Sequence, residues 1–201
     1  ISAAFVPVFN EKLTNDGERG ANRFASNFLN IVLLFSAVLV ALGIIFPKSA
    51  VMLVAGGFSS DAQALSLASS LMRIIMPIIC FACGTFIFVG ILQSYGEFIA
   101  PSLVSLFSNL SMIVYLLFLN GRYGIQGLAV AFCVGWLFQF LFLVPFLKKK
   151  RFHYSPGLDF KSPDIKKVAV LTLPLFVSAL AQPINQLISS NLSSGISESG
   201  V

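Results

Sequence analysis

Charge is what this sequence has least of. Only 10% of its 201 residues are charged, against 57% hydrophobic. The acids Glu11, Asp16, Glu18, Asp61, Glu97, Asp159, Asp164 and Glu198 all lie outside the long apolar runs. A proton-coupled transporter would normally carry an acid within the membrane, so these residues supply no such coupling group. The one histidine, His153, lies in a polar stretch, which excludes an H-E-x-x-H zinc helix and histidine-rich metal sites. Neither a G-x-x-x-x-G-K-[ST] phosphate loop nor a G-x-S-x-G nucleophile elbow occurs. No catalytic residue, metal ligand or cofactor is therefore expected, and the chain does not read as an enzyme. Cysteine is scarce too. Cys80, Cys83 and Cys133 all fall inside apolar runs, where the C-x-x-C spacing of the first two reads as small buried residues rather than a redox or metal pair. The chain opens on Ile1 within an apolar run, without the features of a signal peptide. The expectation is a piece of a longer protein with its first helix cut.

What is present is apolar length. A mean hydropathy of +0.90 places the chain among all-α integral membrane proteins, built as a polytopic helical bundle. The net charge of +5 would suggest nucleic acid in a soluble protein, but here the basic residues sit between apolar runs and act on orientation, so no nucleic-acid partner is expected. The tail of a cut span covers Ile1 to Phe9, followed by a polar loop from Asn10 to Arg23. Complete spans are expected over Phe24–Phe46, Leu71–Gln93, Phe98–Leu119 and Ile125–Leu147, and a last one from Val168 to about Leu192. Each approaches the ~20 residues that cross a ~30 Å hydrocarbon core. Between them lie an interfacial stretch from Pro47 to Gln63, a short turn around Gly96, a tight turn at Asn120–Gly124 and a basic linker over 148–167. The domain reading is thus membrane helices over 1–147, the linker over 148–167, and the first helix of a second lobe over 168–201.

Alternate loops share a side. Loops one, three and five carry Lys12, Arg19, Arg23, Lys148, Lys149, Lys150, Arg151, Lys161, Lys166 and Lys167, whereas loops two and four carry only Lys48 and Arg122. The positive-inside rule puts the first set in the cytoplasm.

The last apolar helix carries the functional signal. Ser178, Gln182, Asn185 and Ser189 recur at helical spacing and share one face. Pro174 and Pro183 each remove an N–H and free a carbonyl one turn earlier. A polar stripe with two built-in bends suits the lining of a solvated cavity with a hinge; the plainer reading is helix–helix glue. Arg73 is the one charged side chain inside an expected span. It either snorkels to the headgroups or contacts the headgroup of a substrate. Asn109 and Gln139 read as helix–helix hydrogen-bonding groups, and Gly127 and Gly135 as points of close helix approach.

Several stretches together resemble one family. Ser2-Ala3-Ala4-Phe5-Val6-Pro7 is similar to an S-x-A-F-V-P pattern, and Leu71-Met72-Arg73-Ile74-Ile75-Met76-Pro77 to an L-L-[RK]-I-x-F-P segment. Gly90-Ile91-Leu92-Gln93, Phe98, Pro101 and Asn109-Leu110-Ser111-Met112-Ile113 fall at the offsets of a third block, and Gln182, Ile184 and Asn185 resemble S-Q-I-N. These are patterns of the MurJ (MviN) lipid II flippases. The chain departs from them at Gly56-Gly57, Ser105, Trp136 and Pro183. The resemblance implies a partial MATE-like fold covering helices two to seven, mostly the N-terminal lobe, in a bacterial inner membrane. It implies transport of an undecaprenyl-linked peptidoglycan precursor by alternating access, with membrane lipids and cell-wall synthesis proteins as further partners. The cavity face would take Ser2 and Phe5 from the second helix and Gln182, Asn185 and Ser189 from the seventh. Rival readings are a multidrug or polysaccharide-unit exporter of the same superfamily, and a non-transporting membrane scaffold.

Overall fold

The computed structural model of the chain describes residues 2–54, 62–150 and 152–179. Its elements are α1 (Ser2–Ile45), α2 (Pro47–Val54), α3 (Ala62–Ile75), α4 (Ile78–Ser94), α5 (Ile99–Phe118) and α6 (Asn120–Lys149), followed by a helix α7 over 163–179. Among the described residues four stretches are long and apolar enough to cross a membrane: α1, Ala62–Ser94, α5 and α6. The protein is an all-α, multi-pass membrane protein. It divides into two compact units, 1–160 and 161–201.

The polar loop expected over Asn10–Arg23 is helical, and the chain reverses at Gly17, whose φ of 69° and ψ of −172° break α1 into two arms. A positive φ is costly for any residue with a Cβ, so one glycine does the work of a loop. Helix persists up to it because Lys12 pairs with Asp16 at 2.8 Å one turn on and Thr14 Oγ1 donates to the Asn10 carbonyl. The arms fold back on each other through aromatic rings. Phe5 stacks on Phe24 and Phe28 with centroids 5.5 and 5.2 Å away, and Phe9 stacks on Phe5 at 5.5 Å.

Close approach by small residues joins the remaining spans, as expected where lipid offers no hydrophobic drive between helices. A Cβ on Gly135 of α6 would lie 2.8 Å from the Ser108 Cα of α5. Beside it, Ser111 Oγ donates to the Ala131 carbonyl at 2.6 Å. Asn109, expected to make the inter-helix bond, is instead exposed, because the face of α5 turned to α6 carries Ser108 and Ser111. α4 meets α6 through the stacked pair Phe88–Phe140 at 4.9 Å, and meets α1 where Gly90 lets Phe5 and Val6 approach. The tight turn expected at Asn120–Gly124 falls inside α6 as a break at Gly124, φ 54°, whose carbonyl accepts from Tyr115 Oη. Helix is also interrupted between Ile75 and Ile78, at Met76-Pro77, since Pro77 has no N–H to offer the preceding turn.

Candidate functional site

The bundle of residues 1–160 has two chemically different ends. One end gathers the Gly17 reversal, the turn at Tyr95–Phe98 and the basic end of α6. Tyr95 meets Phe9 edge-on at 5.9 Å, and Lys150 Nζ lies 3.6 Å from Glu97 Oε2. Loops one, three and the start of five therefore meet, as alternate loops of a spanning bundle must. Burial, and secondarily the Glu18 carboxylate, pushes the Tyr95 phenol above its ordinary range.

At this end the structure shows something the sequence did not. After α6 the chain has no regular secondary structure over 152–159 and packs against α1, held by three side chains. Asn27 Nδ2 donates to the Asp159 carbonyl at 2.9 Å, and Asn27 Oδ1 accepts the Asp159 N–H at 2.6 Å. Asn30 Nδ2 donates to the Gly157 carbonyl at 2.8 Å, and Asn30 Oδ1 accepts from Tyr154 Oη at 2.8 Å. Ser26 Oγ accepts the Ser155 N–H at 3.0 Å while donating to the Asn22 carbonyl. A carboxamide carries the same donor–acceptor pair as a peptide group, so Asn27 completes with Asp159 the two-bond exchange that a strand neighbour would make. The first part of the basic linker is thus fixed to the first full span.

The opposite end lies where α1 bends at Phe46 into α2. At ~1.5 Å rise per residue, Ile45 stands about 27 Å along the helix from Asn27, close to the thickness of a hydrocarbon core. Here Lys48 and Ser49 of α2 and Ser66, Ser69, Ser70 and Arg73 of α3 line a cavity of about 300 Å³. Arg73 is exposed in the last turn of α3.

The remaining expected site residues are placed as follows. Ser2 Oγ donates to the Phe86 carbonyl at 2.9 Å, tying the start of α1 to α4. Phe5 has no exposed surface; its ring is the centre of the aromatic cluster described above. In the second unit, Ser162 precedes Pro163 and Asp164 at the start of α7, with the Lys166 N–H on the Ser162 carbonyl, a favourable order of cap, proline and acid. Pro174 lies within α7 without ending it, and Ser178 Oγ donates back to the Pro174 carbonyl at 3.0 Å. Gln182, Pro183, Asn185 and Ser189 lie outside the described residues. Among the described residues no group of three His, Cys, Asp or Glu side chains could hold a metal ion.

Comparison with known proteins accounts for the whole length. The family model described as "Lipid II flippase MurJ" matches residues 1–201. A probable lipid II flippase MurJ of Buchnera aphidicola subsp. Baizongia pistaciae is 29% identical over 200 residues, covering 96% of this chain and 39% of the relative. That of Buchnera aphidicola subsp. Schizaphis graminum is 30% identical over 198 residues, covering 96% of this chain and 38% of the relative. The lipid II flippase MurJ of Burkholderia cenocepacia is 28% identical over 206 residues, covering all of this chain and 40% of the relative. The chain therefore spans about two fifths of the length of the curated relatives it matches. Taken with the four described helices long and apolar enough to cross a membrane, the match over every residue means that this chain belongs to the lipid II flippase MurJ family.

Proposed function

We propose that the whole protein containing this chain moves lipid II, an undecaprenyl-pyrophosphate-linked peptidoglycan precursor, across the bacterial inner membrane. The observation that carries the reading is the family match over residues 1–201. Transport proceeds by alternating access: the polar headgroup occupies a solvated cavity while the lipid tail stays in the bilayer. No bond is made or broken, so the chain needs no nucleophile, acid–base pair or cofactor. Residues 1–147 belong to the first lobe, 148–167 to the linker and 168–201 to the first helix of the second lobe. Ser2, Ser178, Gln182, Asn185 and Ser189 line the cavity, with Phe5 supporting the wall from inside its aromatic cluster. Pro174 and Pro183 let the last helix bend, and Arg73 meets a lipid headgroup at the far end. Cell-wall synthesis proteins are the partners such an activity feeds.

The experiment is depletion of the whole protein in its host, with lipid-linked precursor measured at the outer face. Falling outward exposure with precursor accumulating inside is the expected result. Unchanged exposure in a host without a redundant flippase refutes the reading, and Leu at both Gln182 and Asn185 is expected to reproduce the depletion.

A further inference from the structure

The cavity at the Phe46 bend does more than hold an arginine near headgroup depth. Two cations face it from different elements, Lys48 in the first turn of α2 and Arg73 in the last turn of α3. Among the described residues no carboxylate lines it and neither cation has an ion-pair partner. The described acids of the first unit, Glu11, Asp16, Glu18, Glu97 and Asp159, lie toward the other end, at the Gly17 reversal, the Tyr95–Phe98 turn and the segment held by Asn27. Ser66, Ser69, Ser70 and Arg73 stand at i, i+3, i+4 and i+7, one face of α3. Ser69 and Ser70 give their protons to the carbonyls of Leu65 and Ser66. The Ser49 and Ser66 hydroxyls make no hydrogen bond among the described residues and remain available as donors. Pro47 opens α2 at the position where a missing N–H costs nothing; the Ala50 N–H is taken by the Phe46 carbonyl, which leaves the Lys48 and Ser49 amides without a carbonyl one turn back within that helix. Every one of these groups favours an anion with several acceptor oxygens.

A second cavity, of about 380 Å³, adjoins the first and shares Phe46 and Ser49 with it. Its wall is apolar, with Leu39, Leu42, Met72, Met76 and Ile79. Met72 flanks Arg73, while Leu39 and Leu42 lie before the Phe46 bend along α1 and Met76 and Ile79 lie beyond Arg73 in the chain toward α4. The pair therefore has a cationic, hydroxyl-bearing head and an apolar trough running from it toward the middle of the spans. A free phosphate would use only the head, and a detached acyl chain only the trough. Leu39 and Leu42 are half exposed, so the trough opens at the surface of the described unit. None of the residues assigned to the transport cavity lines either part.

We infer that Lys48, Arg73 and the Ser49/Ser66 hydroxyls, together with the Leu39–Leu42–Met76–Ile79 trough, form a binding site for one anionic glycerophospholipid of the surrounding bilayer. The phosphate sits between the two cations and one acyl chain lies in the trough, stapling α1, α2 and α3 together at that end. Occupancy is separate from flipping, so the inference stands or falls independently of the transported substrate.

The test is native mass spectrometry of the whole protein, titrated with phosphatidylglycerol, phosphatidylcholine and inorganic phosphate. One phosphatidylglycerol is expected to be retained in preference to phosphatidylcholine. The double variant Lys48→Gln/Arg73→Gln should weaken that retention at least tenfold, whereas Lys149→Gln, at the opposite end, should leave it unchanged. Equal retention by the double variant overturns the site. Competition by inorganic phosphate at lipid-like concentrations overturns the head-and-tail reading in favour of a simple anion pocket. Displacement by a polyprenyl diphosphate lipid overturns the assignment to a bilayer lipid and makes this a subsite for cargo. Should the double variant fail to fold, hydrogen exchange of the wild-type protein decides. Segments 42–52 and 65–76 must gain protection in phosphatidylglycerol nanodiscs relative to phosphatidylcholine, and unchanged exchange there refutes the inference.

Discussion

Replacing Asn27 by alanine tests the strap that α1 holds at its basic end. The side chain is buried at 8% exposure and makes both of its bonds to one residue, Asp159. Each intramolecular hydrogen bond contributes about 0.5–1.5 kcal/mol net, so losing two weakens docking by about 1–3 kcal/mol. At 1.4 kcal/mol per tenfold, the docked population relative to the undocked one falls roughly 5- to 150-fold. Asn27→Asp is the sharper variant. It keeps an acceptor for the Asp159 N–H but sets a carboxylate oxygen against the Asp159 carbonyl, where a donor is required. An isosteric change is therefore expected to match or exceed the cost of truncation. Hydrogen exchange measures this directly, because the amides of Ser155 and Asp159 are protected by side chains of α1 and open with the strap. Ser36→Ala is the control, since that hydroxyl bonds only the Val32 carbonyl of its own helix. Unchanged protection across 152–160 in both Asn27 variants would refute the clamp.

Gly135→Ala should lower thermal stability by about 1–3 kcal/mol, because the new methyl meets the Ser108 Cα at 2.8 Å and backbone must move; a melting temperature equal to wild type in the same detergent contradicts the packing of α5 on α6. Thr85→Val should be neutral or stabilising by up to about 1 kcal/mol, since the Thr85 hydroxyl is fully buried with no hydrogen-bond partner among the described residues; a clear loss of stability would mean that the hydroxyl has a partner. Tyr95, raised by burial and then by Glu18, keeps its proton in the folded state after the unfolded chain has lost it. Its contribution is complete below the ordinary phenol range near 10 and disappears as pH rises through the raised value. Tyr95→Phe should therefore flatten the alkaline limb of a stability–pH profile, and identical limbs would dismiss the phenol as their cause.

The spanning architecture was legible because it depends on runs of apolar residues, which are local. The meeting of alternate loops was legible from where the basic residues fall. The reversal at Gly17 was harder: Lys12, Asp16, Glu18 and Arg19 are polar enough to suggest a loop, yet they are good helix formers and pair one turn apart. A signal was present all the same. Phe5 and Phe9 mirror Phe24 and Phe28 about a point beside Gly17, the pattern of two arms folding ring on ring. That mirror also explains why Phe5, chosen for its motif, stands inside a cluster. The strap gave no signal at all. Asn27 and Asn30 read as ordinary polar residues near a helix start, because their partners, the backbone of residues 157 and 159 and the Tyr154 hydroxyl, are more than a hundred positions away. Asn109 misled in the opposite sense: a mid-span amide draws attention, but helix rotation turned Ser111 to the neighbour instead.

The clamp on α1 grips peptide groups, apart from one tyrosine hydroxyl, and the side chains over 153–160 are exposed. A segment held in this way is indifferent to spelling and sensitive to counting. Most substitutions there leave the grips untouched, whereas inserting or deleting one residue between Lys150 and Asp159 would offer Asn27 and Asn30 the wrong peptide groups. Only residues 160–162 separate the last grip from Pro163, where the next helix begins. The strap is thus fixed by residue count rather than by side-chain identity.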